Sequence, residues 1–130
     1  MILLDTDVCI EILRGNKSVI KQRNETDGDV AISFMSVGEL YYGANRSNFK
    51  QKNINIIDEF LLSIEILQPD KQILQEFGKI KTELYNKNIL IPDADILIAS
   101  TALSKCSKLI TGNIKHYNRF SNLNLENWIR

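Results

Sequence analysis

The chain has 130 residues, 44% hydrophobic and 25% charged, the composition of one globular domain (1–130) with a single core. Sixteen Lys and Arg balance sixteen Asp and Glu, which excludes a protein that coats nucleic acid through bulk positive charge but not an enzyme that grips it at a local site. No apolar run approaches the ~18 residues of a membrane span.

Met1-Ile2-Leu3-Leu4 meets Asp5 without a basic leader, so the chain reads as cytoplasmic. Ile2-Leu3-Leu4 predicts a short strand buried on both faces. Asp5-Thr6-Asp7 then offers three helix caps before the apolar pattern Val8, Cys9, Ile12, Leu13, which Gly15-Asn16 stops. A second helix is expected over 17–24, a turn at Thr26-Asp27-Gly28-Asp29, and a second buried strand at Val30-Ala31-Ile32-Ser33. The stripe Val37, Leu40, Tyr41, Ala44 predicts a helix over 36–46, with Ser36-x-x-Glu39 as its capping box. Residues 48–55 loop into a helix carrying Ile56, Ile57, Phe60, Leu61 and Ile64; 64–67 either end it or form a third strand. Asp70 caps a long helix through Tyr85. Pro92 favours an extended approach, and Asp93 reads as the N-cap of a helix to Lys105. Lys108–Thr111 is another strand, turned by Gly112-Asn113, and Leu123–Glu126 an edge strand. Cys9 and Cys106 fall in apolar helical patterns and read as reduced core residues.

Strands that alternate with helices, with short apolar strands, predict an α/β fold: a central, mostly parallel sheet of four to five short strands flanked by helices on both faces. Ligands in such sheets bind beyond the carboxyl ends of the strands. Asp5, Thr111 and Asn113 follow strands directly, Glu39 follows one by a short loop, and Asp95 opens a helix at the same edge. Each has a plain structural reading: Asp95 suits the dipole of a first helical turn, and Glu39 suits a capping box. Together they place three carboxylates at one edge, with Asp7, Asp93, Asn113 and His116 as further candidates. Clustered carboxylates repel unless a cation sits among them. All-oxygen ligation suits Mg²⁺ or Mn²⁺ rather than zinc and points to phosphodiester hydrolysis. No glycine-rich phosphate loop is present, which counts against a nucleotide-binding or phosphatase domain.

Four segments in order, Ile2-Leu3-Leu4-Asp5-Thr6-Asp7, Ser36-Val37-Gly38-Glu39-Leu40, Asp93-Ala94-Asp95-Ile96-Leu97-Ile98-Ala99 and Leu109-Ile110-Thr111-Gly112-Asn113, resemble the motifs of PIN-domain proteins, most of all the VapC ribonuclease toxins. Leu125-Glu126-Asn127-Trp128 resembles the ending of that group. The resemblance covers essentially the whole chain. It implies a PIN-like fold and an endoribonuclease dependent on Mg²⁺ or Mn²⁺, the toxin of a type II toxin–antitoxin pair, with RNA as substrate, a cognate antitoxin as inhibitor and a homodimeric state. It also implies that Asp5, Glu39 and Asp95 hold the metal and activate water, with Thr6 and Thr111 supporting them. The departure is Asn113, where many relatives carry Asp: it keeps an oxygen but loses a charge at this catalytic position. Asp93 is either a substitute for that acid or a plain cap. The neutral Asn113 also leaves open a catalytically weak PIN module that mainly binds RNA or a protein partner.

His116, the single histidine, lies in a polar loop after a strand and reads as a surface or substrate-contacting residue rather than a general base. Tyr41, Tyr42, Phe49 and Phe60 have helical spacing that fits core or dimer packing better than base stacking. Of the dispersed basic residues, most are solvated faces; Arg46, Lys50 and Lys52 follow the Glu39 helix and are candidates to flank the site and bind substrate phosphates.

Overall fold

Ile2-Leu3-Leu4 forms β1 (Ile2–Leu4), buried on both faces, and the sheet is built outward from it. The computed structural model describes residues 1–129. After β1 come α1 (Thr6–Leu13), α2 (Lys17–Glu25), β2 (Val30–Ser33), α3 (Phe34–Arg46), α4 (Lys50–Leu61), β3 (Glu65–Leu67), α5 (Lys71–Asn86), α6 (Asp93–Lys105), β4 (Leu109–Ile110), α7 (Ile114–Tyr117) and β5 (Leu125–Glu126). The strands lie in the order β3-β2-β1-β4-β5 and every pairing is parallel. The expected four to five strands are therefore five: the segment after Ile64 closes one edge as β3, and Leu125-Glu126 closes the other.

Strand periodicity divides the core. Ile2, Leu4, Ile32 and Ile110 turn to one face and pack under α1 to α4. Leu3, Ala31 and Leu109 turn to the other, under α5, α6 and the rings of Tyr117 and Phe120. The chain leaves β1 toward β2 and β3 on one side and returns to β4 and β5 on the other. The order reverses between β1 and β4, so a crevice opens at their carboxyl ends. Ile98, fully buried on α6, measures this packing. Ile98→Ala is expected to lower stability by about 2–5 kcal/mol in urea denaturation, whereas Leu62→Ala at an exposed site should change it by less than about 0.5 kcal/mol.

Two helix starts differ from expectation. Ser33, not Ser36, caps α3: its Oγ accepts from the Met35 N–H, so the helix begins at Phe34 and Ser36 is buried in its first turn. Asp93 is not a cap either. Pro92 holds the extended cap position of α6, and Asp93 stands inside the first turn, where α5 brings Lys81 Nζ to 2.9 Å from its carboxylate. Asp70 does cap α5, through the Ile73 N–H. Cys9 is buried and Cys106 half-buried, both as free thiols. Among the aromatic candidates, Phe60 is core, Tyr41 is half-buried with its hydroxyl on Asp58, and Tyr42 and Phe49 are exposed. Among the described residues no helix is long and apolar enough to cross a membrane.

Candidate active site

Asp5 leaves the end of β1 in an extended conformation and caps α1, its Oδ1 accepting from the Thr6 N–H at 2.9 Å. That cap points the carboxylate into the crevice between β1 and β4. Its second oxygen accepts from Thr111 Oγ1 at 2.8 Å, just beyond β4. Thr6, the first residue of α1, faces α3: its hydroxyl donates to Glu39 Oε1 at 2.7 Å and lies 2.8 Å from the Ser36 hydroxyl. The early start of α3 thus turns Glu39 to Thr6 rather than back to the helix end, and there is no capping box. Asp95 enters from the first turn of α6. The Tyr117 hydroxyl lies 3.4 Å from Asp5 Oδ1 and 3.5 Å from Asp95 Oδ1, so one phenol stands between the two acids.

A fourth carboxylate comes from Asp7. Its Oδ2 accepts from the Gly112 N–H at 2.9 Å, while Oδ1 is buried without a hydrogen-bond partner. Gly112 is needed here, because a Cβ would lie 3.0 Å from Asp7 Oδ2 and 2.8 Å from Ile129 Cδ1. His116 is not merely a surface residue: Nε2 lies 2.9 Å from Asp95 Oδ2, and the ring stacks edge-on against Tyr117. Tyr117 is the residue most underread from sequence. A buried tyrosine needs a partner for its hydroxyl, and its place one residue after His116 in a strand-following loop was the available signal.

Burial dominates the electrostatics of the site. Burial, and next the Asp7 carboxylate, push Asp5 up to about 7. Burial likewise raises Asp7. Burial followed by the charges of Asp5, Asp95, Glu39 and Asp7 drives Tyr117 far above the usual phenol range, so its hydroxyl remains a donor. Among the described residues no three acidic, histidine or cysteine groups form a ready cage for a metal. Glu39 and Asp95 are held by Thr6 and His116. The donor set nonetheless fits a hard divalent cation: carboxylate and hydroxyl oxygens, a buried carboxylate oxygen without a partner, and an Asp5 carboxyl forced toward the neutral form by burial and then by Asp7.

The remaining candidates lie outside this group. Asn113 is exposed at the N-cap of α7, its N–H on Thr111 Oγ1 and its side chain making no capping bond. Asp93 pairs with Lys81, so Asp7 rather than Asp93 is the added acid beside Asp5. Asp93→Ala is expected to leave RNA cleavage unchanged, measured as initial rate on a labelled RNA. Arg46 folds over the Tyr42 ring and Lys50 starts α4 in solvent. The basic residue that shares a groove with Glu39 is Arg14, which charge spacing alone did not single out.

A parallel sheet with acids at the mouth of its β1–β4 crevice defines a class, and comparison with known proteins agrees. The PIN domain model matches residues 2–121. The chain belongs to the PIN-domain family. It is similar to Ribonuclease VapC2 of Haemophilus influenzae, 35% identical over 128 residues that cover 98% of this chain and 97% of that relative. It is similar to the tRNA(fMet)-specific endonuclease VapC of Shigella flexneri, 29% identical over 127 residues, covering 97% and 96%. The crystal structure of VapBC2 from Rickettsia felis, bound to a DNA fragment from their promoter, matches with a TM-score of 0.92 at 34% identity, covering 99% of this chain and 100% of that one.

Proposed function

We propose that this chain is a divalent-metal-dependent endoribonuclease and the toxin of a type II toxin–antitoxin pair. The observation that carries the reading is the Tyr117 hydroxyl shared between Asp5 and Asp95, with Glu39 turned in by Thr6, in a PIN-domain chain whose relatives are named ribonucleases. Asp5, Asp95 and Glu39 would hold Mg²⁺ or Mn²⁺, and Asn113, exposed just past Thr111, would offer a neutral oxygen in place of a fourth acid. When bound, the cation supplies Lewis acidity to the phosphate and an acidified water.

The chain's own groups do the rest. Thr111 and the Thr6 N–H each donate to one oxygen of Asp5 and fix its plane. Tyr117, kept protonated, donates between Asp5 and Asp95 and cannot serve as a base. Thr6 orients Glu39. Thr6→Val removes that bond, worth about 1 kcal/mol, and should slow cleavage by roughly five- to tenfold in initial-rate assays. Water attack leaves a 5′-phosphate and a 3′-hydroxyl, unlike attack by the 2′-hydroxyl. Arg14, beside Glu39, joins Arg46 and Lys50 as a candidate for RNA phosphates, and a looped RNA with unstacked bases is the substrate class.

The antitoxin is a separate small protein that covers the acidic site. What supports it is the likeness to VapBC complexes and an apolar groove beside Glu39, lined by Ile10, Leu13, Leu40 and Ile56. Exposed Tyr42, Phe49 and Leu62 support a further contact between two copies of the chain. Induced expression of the wild type and Asp95→Ala, with mapping of RNA 5′ ends, tests the reading. Growth arrest with new ends in the wild type alone is expected. Equal growth and equal ends would favour the weak RNA-binding module that Asn113 suggests.

A further inference from the structure

One feature of the crevice goes beyond the carboxylates themselves. Arg119 lies on the surface just past α7, and its Nη2 is 2.7 Å from His116 Nδ1; its Nε also donates to the His116 carbonyl at 3.3 Å. A guanidinium has donors and no acceptor, so Nδ1 must present its lone pair. On the far side of the ring, Nε2 faces Asp95 Oδ2 at 2.9 Å, and a carboxylate only accepts. The two contacts allow one arrangement, with the ring proton on Nε2. The ring is braced by its edge contact with Tyr117, whose hydroxyl meets the other oxygen, Asp95 Oδ1. A carboxylate held on both oxygens cannot rotate, and groups that hold a ligand in this way set its orientation toward a cation.

We propose that His116 and Arg119 act together as positioning residues for Asp95: Arg119 selects the imidazole tautomer that donates from Nε2 to Asp95 Oδ2, and this leaves Oδ1, on the Asp5 side, turned toward the divalent cation. The cation at Asp95 rests on the function proposed above; the tautomer does not. His116 is therefore no general base, because its lone pair faces Arg119 and away from the crevice. His116 thereby joins α7 to the first turn of α6, with Arg119 bracing it from the far side of the ring.

The chain has a single histidine, so one imidazole can be observed directly. Long-range ¹⁵N–¹H spectra of the metal-free full chain should show a protonated Nε2 and a bare Nδ1. In Arg119→Ala, a change of an exposed side chain, the two tautomers should mix. Mn²⁺ binding, followed by electron paramagnetic resonance, should weaken by about 10- to 100-fold in His116→Ala. It should return most of the way in His116→Gln, whose amide nitrogen can donate to Asp95 in place of Nε2. A proton on Nδ1 in the wild type would overturn the proposal, as would unchanged Mn²⁺ affinity in both His116→Ala and Arg119→Ala, or no recovery in folded His116→Gln. Failure of the wild type to bind Mn²⁺ would instead overturn the metal reading and with it the consequence for Oδ1, while the spectra would still decide the tautomer.

Discussion

Asp5→Asn is expected to abolish RNA cleavage while making the metal-free protein more stable. Asp5 is buried, and burial together with Asp7 raises it to about 7 from an ordinary 3.8. At pH 8 its charge is therefore held in the folded state against a penalty that the unfolded chain does not bear. Asparagine keeps the size and removes the charge. Its oxygen can take the Thr6 N–H while its amide faces Thr111 Oγ1, whose hydroxyl can turn to accept. The melting temperature at pH 8 without metal should rise, the opposite of the usual effect of altering a buried hydrogen-bonded residue. Cleavage should fall by at least about 10²-fold, because a charged group aimed at the reacting centre has been lost. A variant that is both less stable and fully active would mean that Asp5 is a structural cap and nothing more.

Mn²⁺ is expected to stabilise the wild type strongly at pH 8 and weakly at pH 5.5. The sign follows from Asp5. Its raised value means that the folded metal-free protein holds a proton which the unfolded chain releases near 3.8. The resulting stability is fully present below pH 3.8 and is lost as pH rises through about 7. A cation must displace that proton below pH 7, so apparent affinity should drop by up to about tenfold per pH unit. At a hundred times its dissociation constant a ligand adds about 2.7 kcal/mol, which for a chain of this size is roughly 10 °C of melting temperature. Thermal melts with and without Mn²⁺ at the two pH values measure it. A shift in the same direction and of the same size at both would remove the Asp5 cluster as the binding site. In Asp5→Asn the shift at pH 8 should disappear.

The carboxylates were legible in the sequence because topology does most of the gathering. Asp5 follows an apolar strand and Asp95 opens a helix after Pro92, and a parallel sheet brings such ends together whatever the side chains do. Hydrogen-bond partners were less legible. Ser36-x-x-Glu39 satisfies a local capping pattern, but Ser33 takes the cap, and Glu39 is then free to meet Thr6, a residue 33 positions away. Asp93 satisfies another local pattern, and a lysine on the neighbouring helix claims it. In both, a rule that uses only near neighbours loses to a contact made by packing. The same limit hid the role of Tyr117 and the partner of Asp7, itself a candidate from sequence. Nothing in the spacing of residues 111–117 says that a phenol crosses to Asp5, or that the Gly112 N–H turns to Asp7. The two-residue strand β4 fixes both, because Thr111 leaves it beside Asp5.

The chemistry at the ends of cleaved RNA bears most directly on whether this acidic crevice works by activating water. Purified protein with Mn²⁺ and a structured RNA should yield 5′-phosphate and 3′-hydroxyl ends, and Asp95→Asn under the same conditions should yield none. A 2′,3′-cyclic phosphate, or the same ends at the same rate from Asp95→Asn, would contradict it.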